Sequence, residues 1–392
     1  MRGMNSASVD LIYLDPPFNS KANYAAPIGS QAAGAEFKDT WGLDDVNLAW
    51  HGEIKHEYPG LYSLLTATRE IHGNSMMSYL IYMAARIMEM RRILKPSGSI
   101  YLHCDPTASH YLKLLMDSVF SQANFRNEVI WNYRTGGASK RTFAKKHDVL
   151  LFYAMPDWTF NAQSEKSYTK SKNRRPGIVN YGGGHAEFFE DDNGVYNYVM
   201  CRDVWDFSYI GSTSPERTGY PTQKPLRLLE RIIAASSNED DVVLDPFCGC
   251  ATACIAADGL HRQWVGIDIS PKAADLVQVR MKKELGIFFT GAHRTDVPER
   301  TDLGKVIPYN AARNKRYLYG EQGGYCNGCQ THFEARHFHV DHIIPRAKGG
   351  TDHISNLQLL CGHCNSVKGA RSQEHLLACL TDKGWVKRRK IA

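Results

Sequence analysis

The chain has 392 residues, room for two or three domains at roughly 150 residues each, and 43% of them are hydrophobic. Ordinary globular cores can therefore be buried, and generic disorder is excluded. The formal net charge of +6, from 47 Lys and Arg against 41 Asp and Glu, is too small at this length to argue for a nucleic-acid partner.

The most apolar long stretch, Leu80 to Leu94, is interrupted by Arg86, Glu89, Arg91 and Arg92, so no membrane span is expected. The opening residues Met1-Arg2-Gly3-Met4-Asn5-Ser6 lack the apolar core of a signal peptide, which points to the cytoplasm. In a reducing compartment the ten cysteines suggest metal binding or packing before disulfides.

In chain order, Val9 to Leu14 is an unbroken apolar run, the pattern of a buried strand, and Asp15-Pro16-Pro17-Phe18 follows it directly. Ser75 to Leu94 repeats apolar residues at three- and four-residue spacing, which predicts a helix stopped by Lys95-Pro96-Ser97-Gly98. Strands are then expected over Ser99 to His103, Glu128 to Tyr133 and Asp148 to Tyr153. Residues 155–220, rich in Gly, Asn, Ser and charge, break the alternation and read as an insertion. Thr222-Gln223-Lys224-Pro225 opens a further helix, and strands follow at Val242 to Leu244 and Trp264 to Ile267. The alternation predicts an α/β domain with a mostly parallel sheet over 1–290, a polar linker over 291–309, a cysteine-rich module over 310–385 and a basic tail over 386–392.

The charge is unevenly placed. Residues 310–392 hold 13 Lys and Arg against 6 Asp and Glu, and residues 132–176 hold 10 against 3. The second cluster, with Lys140, Arg141, Lys145, Lys146, Arg174 and Arg175 among Tyr133, Trp158, Tyr168 and Tyr181, suits a phosphate-tracking surface as well as it suits a solvated loop.

Asp15-Pro16-Pro17-Phe18 stands where α/β sheets hold their chemistry, after the carboxyl end of a strand. Two prolines fix the backbone so that Asp15 and the Pro16 carbonyl can accept hydrogen bonds from an exocyclic amine, while Phe18 offers a face to a base. Far downstream, Asp245-Pro246-Phe247-Cys248-Gly249-Cys250-Ala251-Thr252 is a small-residue turn between a strand and a helix. Asp268 lies about 20 residues beyond its start, the spacing at which an acid takes ribose hydroxyls.

With these motifs in this order, the chain resembles the permuted β group of amino-directed DNA methyltransferases over about residues 8–280. The resemblance implies a Rossmann-like methyltransferase sheet with a target-recognition insertion over 155–220. It implies that Asp15, Pro16, Pro17 and Phe18 engage the target amine and base. Asp245, Phe247, Gly249 and Asp268 would hold S-adenosylmethionine, with Thr222 and Lys224 near its methionine end. The partner it implies is double-stranded DNA with a flipped-out target base, because an exocyclic amine inside a duplex is sterically blocked. Asp first and Phe last favour adenine N6 over cytosine N4 by the same analogy. Ala251 stands where the family carries a second glycine, and the first strand begins almost at Met1, where members usually have a Gly-Asp turn upstream; either the natural start lies earlier or the pocket is built differently. Cys248, Cys250 and Cys254 read as small packing residues.

In the C-terminal module, Cys326-x-x-Cys329 and Cys361-x-x-Cys364 form paired knuckles suited to one structural zinc ion. Between and after them stand Asp341-His342, Gly349-Gly350, Asn356 and Asn365, a constellation similar to the HNH nuclease family of ββα-metal fold. That resemblance assigns Asp341 and Asn365 to a magnesium ion, His342 to general-base duty and Asn356 to loop support. The whole reads as a DNA methyltransferase carrying an HNH endonuclease or nickase. The alternative is a DNA-binding or methylation-sensing nuclease whose methyltransferase domain is inactive. A homodimer is left open.

Overall fold

The computed structural model describes residues 1, 3–17, 23–25, 36–38, 54, 58–133, 140–169, 187–286, 291–298, 300–302, 306–382 and 384–385. Phe18, Arg174, Arg175, Tyr181 and the tail 386–392 lie outside them.

A seven-stranded mixed sheet organises the large domain. Its strands are β1 (Val9–Leu14), β4 (Leu94–Cys104), β5 (Phe125–Asn132), β6 (His147–Ala154), β10 (Val204–Asp206), β11 (Val242–Asp245) and β12 (Gln263–Gly266). They lie in the order β10-β5-β6-β4-β1-β11-β12, and β2 (Asn23–Ala25) and β3 (Glu36–Lys38) pair separately as an antiparallel ribbon. The pairings of β1 with β4 and β11, of β11 with β12 and of β5 with β10 are parallel; β6 alone runs antiparallel to both neighbours. All six residues of β1 are buried, as expected for a central parallel strand covered on both faces.

The alternation of side chains across the strands separates two cores. Ile12, Leu14, Ile100, Leu102 and Leu151 face α1 (Pro59–His72), α2 (Asn74–Ile93) and α3 (Ser109–Phe120). Leu11, Tyr13, Tyr101, Leu150 and Val243 face α4 (Leu226–Ser236) and α5 (Thr252–Gly259). A further helix, α6 (Pro271–Leu285), closes the turn after β11 through Leu276 and Val277. The result is an α/β/α layering, in keeping with the expected α/β domain.

Two details depart from the expected pattern. The Lys95–Gly98 stretch, expected to be a stop, ends α2 but already belongs to β4. Lys95 reaches back to Asp10 at 2.8 Å, and Gly98 packs so closely that a Cβ there would lie 2.6 Å from Leu94 Cδ1. Within residues 155–220, β7 (Ser164–Tyr168), β8 (Phe189–Asp191) and β9 (Gly194–Met200) form a separate antiparallel sheet, whereas β10 returns to the main sheet and buries Trp205 there.

The module beyond residue 306 holds α7 (Ala312–Glu321), an antiparallel pair β13 (Phe338–His342) and β14 (Leu357–Cys361), α8 (Gly362–Lys368) and α9 (Gln373–Asp382) around a small core of Leu318, Phe338, Leu359, Leu360, Leu376 and Leu380. Its linker is tied down: Thr301 and Asn5 exchange two hydrogen bonds of 2.8 Å, and Asp302 accepts from the Ser6 N–H at 2.7 Å. Among the described residues no helix is long and apolar enough to cross a membrane.

Asp10 joins three neighbouring strands, since its Oδ2 accepts from both Lys95 Nζ at 2.8 Å and the Val242 N–H at 2.9 Å. Asp10→Ala strands that N–H and is expected to destabilise the protein by about 1–3 kcal/mol in urea denaturation. A change below about 0.5 kcal/mol, the range of an uninvolved surface site, would show that the junction contributes nothing.

Candidate active site and metal centre

Because β1, β11 and β12 are parallel, the residues after them meet at one edge of the sheet. Asp15, Asp245 and Asp268 line a single cavity there of about 520 Å³, within the ordinary range for small-molecule sites. Pro16, Pro17, Thr222, Lys224 and Phe247 share its wall with Tyr13, Tyr82, Arg86 and Tyr220.

Each carboxylate is held differently. Asp268 accepts backbone N–H groups on both oxygens, from Gly249 at 2.9 Å and Ser270 at 2.8 Å, which fixes it at the cavity wall. Asp245 is buried and accepts from the Phe247 N–H at 3.0 Å. Burial pushes its carboxyl up to about 8; the Phe247 N–H opposes this, and the charges of Asp15 and Asp268 add to it. Asp15 gives one oxygen to the Lys224 ammonium at 2.5 Å, while its Oδ1 is buried without a hydrogen-bond partner among the described residues. The structure thus sets Lys224 against the tetrapeptide, a pairing that the spacing of the motifs did not reveal.

The turn that carries Phe247 is held by backbone conformation. Gly249 sits at φ +46°, and a Cβ there would come 2.8 Å from the Tyr220 ring. Ala251 adopts the left-handed region at φ +61° and ψ +31°, so alanine keeps the conformation expected of the missing glycine, at a cost of roughly 1–2 kcal/mol. Arg280, absent from the sequence reading, is buried and clamps the turn through the Cys250 carbonyl at 2.7 Å and Thr252 Oγ1 at 3.1 Å. Burial pushes the Cys248, Cys250 and Cys254 thiols up, so they remain protonated and unreactive.

In the C-terminal module the four sulfurs of Cys326, Cys329, Cys361 and Cys364 lie within 4.8 Å of one another, close to the separation that a tetrahedral ion with bonds of about 2.3 Å imposes. The N–H groups of Gly328 and Cys361 point at Cys326 Sγ, and that of Cys364 at Cys361 Sγ; such donors stabilise thiolates. The donor set fits zinc.

Beside this knot, His342 Nε2 bonds Asp352 Oδ1 at 2.8 Å, and the Tyr309 ring lies 4.7 Å from the imidazole. Asp352 also pairs with Arg346, which together with His342 holds its carboxyl well below the usual range. Asp341 Oδ2 is taken by the buried Lys368 ammonium at 2.9 Å and by Gln358 at 2.9 Å. Asn356 spans its loop with bonds to Ile344 N, Ile344 O and Thr351 O. Gly350 leaves no room there for a side chain, since a Cβ would meet the Ile344 carbonyl. Asn365 lies on α8, which follows β14. Asp352 and Tyr309 were not singled out from the sequence; the only signal for Asp352 was an acid just beyond the double glycine.

Residues 9–279, more than half of the chain, match the profile of the N6/N4 methyltransferase family described as DNA methylase. The chain belongs to the DNA methylase family. Residues 326–371 match the HNH endonuclease profile, so the methylase carries a C-terminal HNH domain. Similar proteins include the type II methyltransferase M.HpaI of Haemophilus parainfluenzae, 25% identical over 288 residues covering 74% of this chain and 73% of that protein. The DNA adenine methyltransferase YhdJ of Escherichia coli strain K12 is 26% identical over 274 residues, 69% of this chain and 75% of its own length. Among solved structures, the cytosine-N4-specific PvuII DNA methyltransferase matches 73% of this chain and 89% of its own, with 13% identity and a TM-score of 0.41.

Two expectations follow for this methylase. Unfolded, Asp245 has an ordinary carboxylate pKa near 4. The folded protein therefore holds a proton that the unfolded chain lacks between pH 4 and about 8, and stability is lost as pH rises through that window. The melting-temperature gain of Asp245→Asn over wild type should then grow from pH 5 to pH 8 in cofactor-free protein; a gain independent of pH contradicts this. Separately, elemental analysis should find one zinc per chain, lost in Cys361→Ser together with cooperative melting of the HNH domain. Full retention of both would reject the four-thiolate site.

Proposed function

We propose that this DNA methylase moves a methyl group from S-adenosylmethionine to an exocyclic amine of a flipped base in double-stranded DNA, adenine N6 being favoured, and that its HNH domain cleaves DNA phosphodiesters with magnesium. The observation that carries the first part is Asp15. One of its oxygens is immobilised by Lys224 and the other is a buried acceptor without a partner among the described residues, beside a cavity that holds two further acids. A buried unsatisfied acceptor is costly unless a ligand satisfies it, and an amine N–H has the matching chemistry.

The cofactor supplies an electrophilic methyl group. Asp268 offers oxygens to ribose hydroxyls, Phe247 an apolar face, and Asp245 a carboxyl that becomes a carboxylate beside a cationic amine. Asp15 and the Pro16 carbonyl orient the target amine so that its nitrogen lone pair faces the methyl. The basic residues Lys140, Arg141, Lys145 and Lys146 and the small sheet β7-β9-β8 supply a surface for the duplex. The name of the relative YhdJ, a DNA adenine methyltransferase, supports the adenine reading.

For cleavage, the tautomer in which His342 donates Nε2–H to Asp352 would leave Nδ1 to take a proton from water. Asp341, with one oxygen held by Lys368, and Asn365 would supply oxygen ligands to magnesium, whose remaining positions suit water and phosphate.

Purified protein, tritium-labelled S-adenosylmethionine and plasmid give the test. Label should appear on adenine and fall by about 10²-fold or more in Asp15→Ala. With magnesium the plasmid should be nicked by wild type and not by His342→Ala. No label on any base refutes the methyl-transfer reading, and equal nicking by wild type and His342→Ala refutes the nuclease reading.

A further inference from the structure

Three ionisable side chains form a continuous hydrogen-bonded line inside the sheet, leading away from the cavity. Tyr13, two residues before Asp15 and on the same side of the chain, lines the cavity and bonds His103 Nδ1 at 2.8 Å. His103, fully buried on β4, bonds Asp148 Oδ2 on β6 at 3.1 Å through Nε2. Asp148 also accepts from the Tyr133 hydroxyl at 3.0 Å. Trp131 stands edge-on to His103, its ring 5.7 Å away.

The line has a direction. Burial would raise the Asp148 carboxyl, but the bond and charge of His103, the charge of Lys224 and the Tyr133 bond prevail and hold it below its ordinary value. In the tautomer in which His103 donates its Nε2–H to the ionised Asp148, Nδ1 carries the lone pair and the Tyr13 hydroxyl donates to it. The Tyr13 oxygen keeps lone pairs of its own, and the residue lines the cavity wall. Setting a fully buried imidazole against a largely buried carboxylate is expensive where Leu or Phe could fill the space.

We propose that Tyr13 accepts the proton shed by the methylated amine, with His103 and Asp148 as its relay. This rests on the methyl-transfer reading above. Methyl transfer leaves the target nitrogen with one proton and one positive charge too many. That N–H bond breaks toward the Tyr13 oxygen and its electron pair stays on nitrogen. The Tyr13 hydroxyl proton passes in concert to His103 Nδ1. The products are a neutral N-methyl amine, a neutral Tyr13, and an imidazolium paired with the Asp148 carboxylate. Tyr13 itself never ionises, which accords with the strong upward push that burial, Asp15, Asp245 and Asp148 exert on its hydroxyl. Among the described residues, the titratable groups acting on the line are Asp15, Lys224 and Asp245 at the cavity end and Asp105 at the Tyr133 end. Tyr13 would be a catalytic residue; His103 and Asp148 act through it.

The test is single-turnover methyl transfer by the full chain to plasmid DNA at saturating S-adenosylmethionine, followed from pH 5.5 to 8.5. In wild type the rate should fall on the acid side, where a protonated relay can take no further proton. Tyr13→Phe should lower the neutral-pH rate by about 10²-fold and flatten that limb, with cofactor affinity within about twofold of wild type. Asp148→Asn, which keeps the side chain's shape, should lose the same acid limb and serves where Tyr13→Phe loses its fold. A Tyr13→Phe rate within about twofold of wild type with an unchanged profile, or a loss restored by more cofactor, overturns the relay while methyl transfer stands. Absence of transfer by wild type overturns both.

Discussion

The contact on which the methylase site depends is the ion pair between Lys224 and Asp15, 209 positions apart in sequence and 2.5 Å apart in space. It joins the end of β1 to the segment entering α4 and locks one oxygen of the carboxylate. Both groups are largely screened from water, so their attraction is stronger than on a surface, and either partner left alone would be costly. With the pair in place, the other oxygen of Asp15 has a defined position and an unmet requirement for a donor. The parallel direction of β1, β11 and β12 then brings Asp245 and Asp268 to the same edge, each held by backbone N–H groups, so the cavity is organised without large side-chain freedom.

The HNH domain solves a different problem. Its core is a handful of leucines and one phenylalanine, too little for a module of its size to be robust alone. The four-cysteine knot supplies the missing constraint and sets the loop before β13 against the start of α8, so that Asp341 and His342 are placed by strands that the knot anchors. Lys368 extends this inward: its buried ammonium bonds Asp341 at 2.9 Å and the His342 carbonyl at 2.6 Å. The integrity of the four-cysteine cluster and the geometry around His342 are therefore mechanically linked.

What the sequence displayed was whatever depends on local pattern. Val9 to Leu14 was readable as a strand because burial on both faces leaves an unbroken apolar run, and α2 because its heptad-like spacing spans five turns. The tetrapeptide, the small-residue turn and the paired cysteines were visible as compact motifs. What stayed hidden depends on tertiary pairing. A strand as short as Val204–Asp206 has no periodicity to detect, and it joins the main sheet only because Trp205 finds a buried place beside β5. The partners of Asp15, the Arg280 clamp and the Tyr13–His103–Asp148 line connect residues 28 to 209 positions apart, so no window on the chain could show them. His103 in particular sat within a predicted strand as one polar residue among apolar ones.

The central claim is that Lys224 acts on methyl transfer through Asp15, by holding the carboxylate that receives the target amine. A double-mutant cycle on the single-turnover transfer rate, comparing Lys224→Met, Asp15→Asn and the pair, tests it most directly. The account predicts strong non-additivity, with the double variant about as slow as Asp15→Asn alone. Losses that simply multiply would contradict it, because they would mean that Lys224 and Asp15 serve the reaction independently.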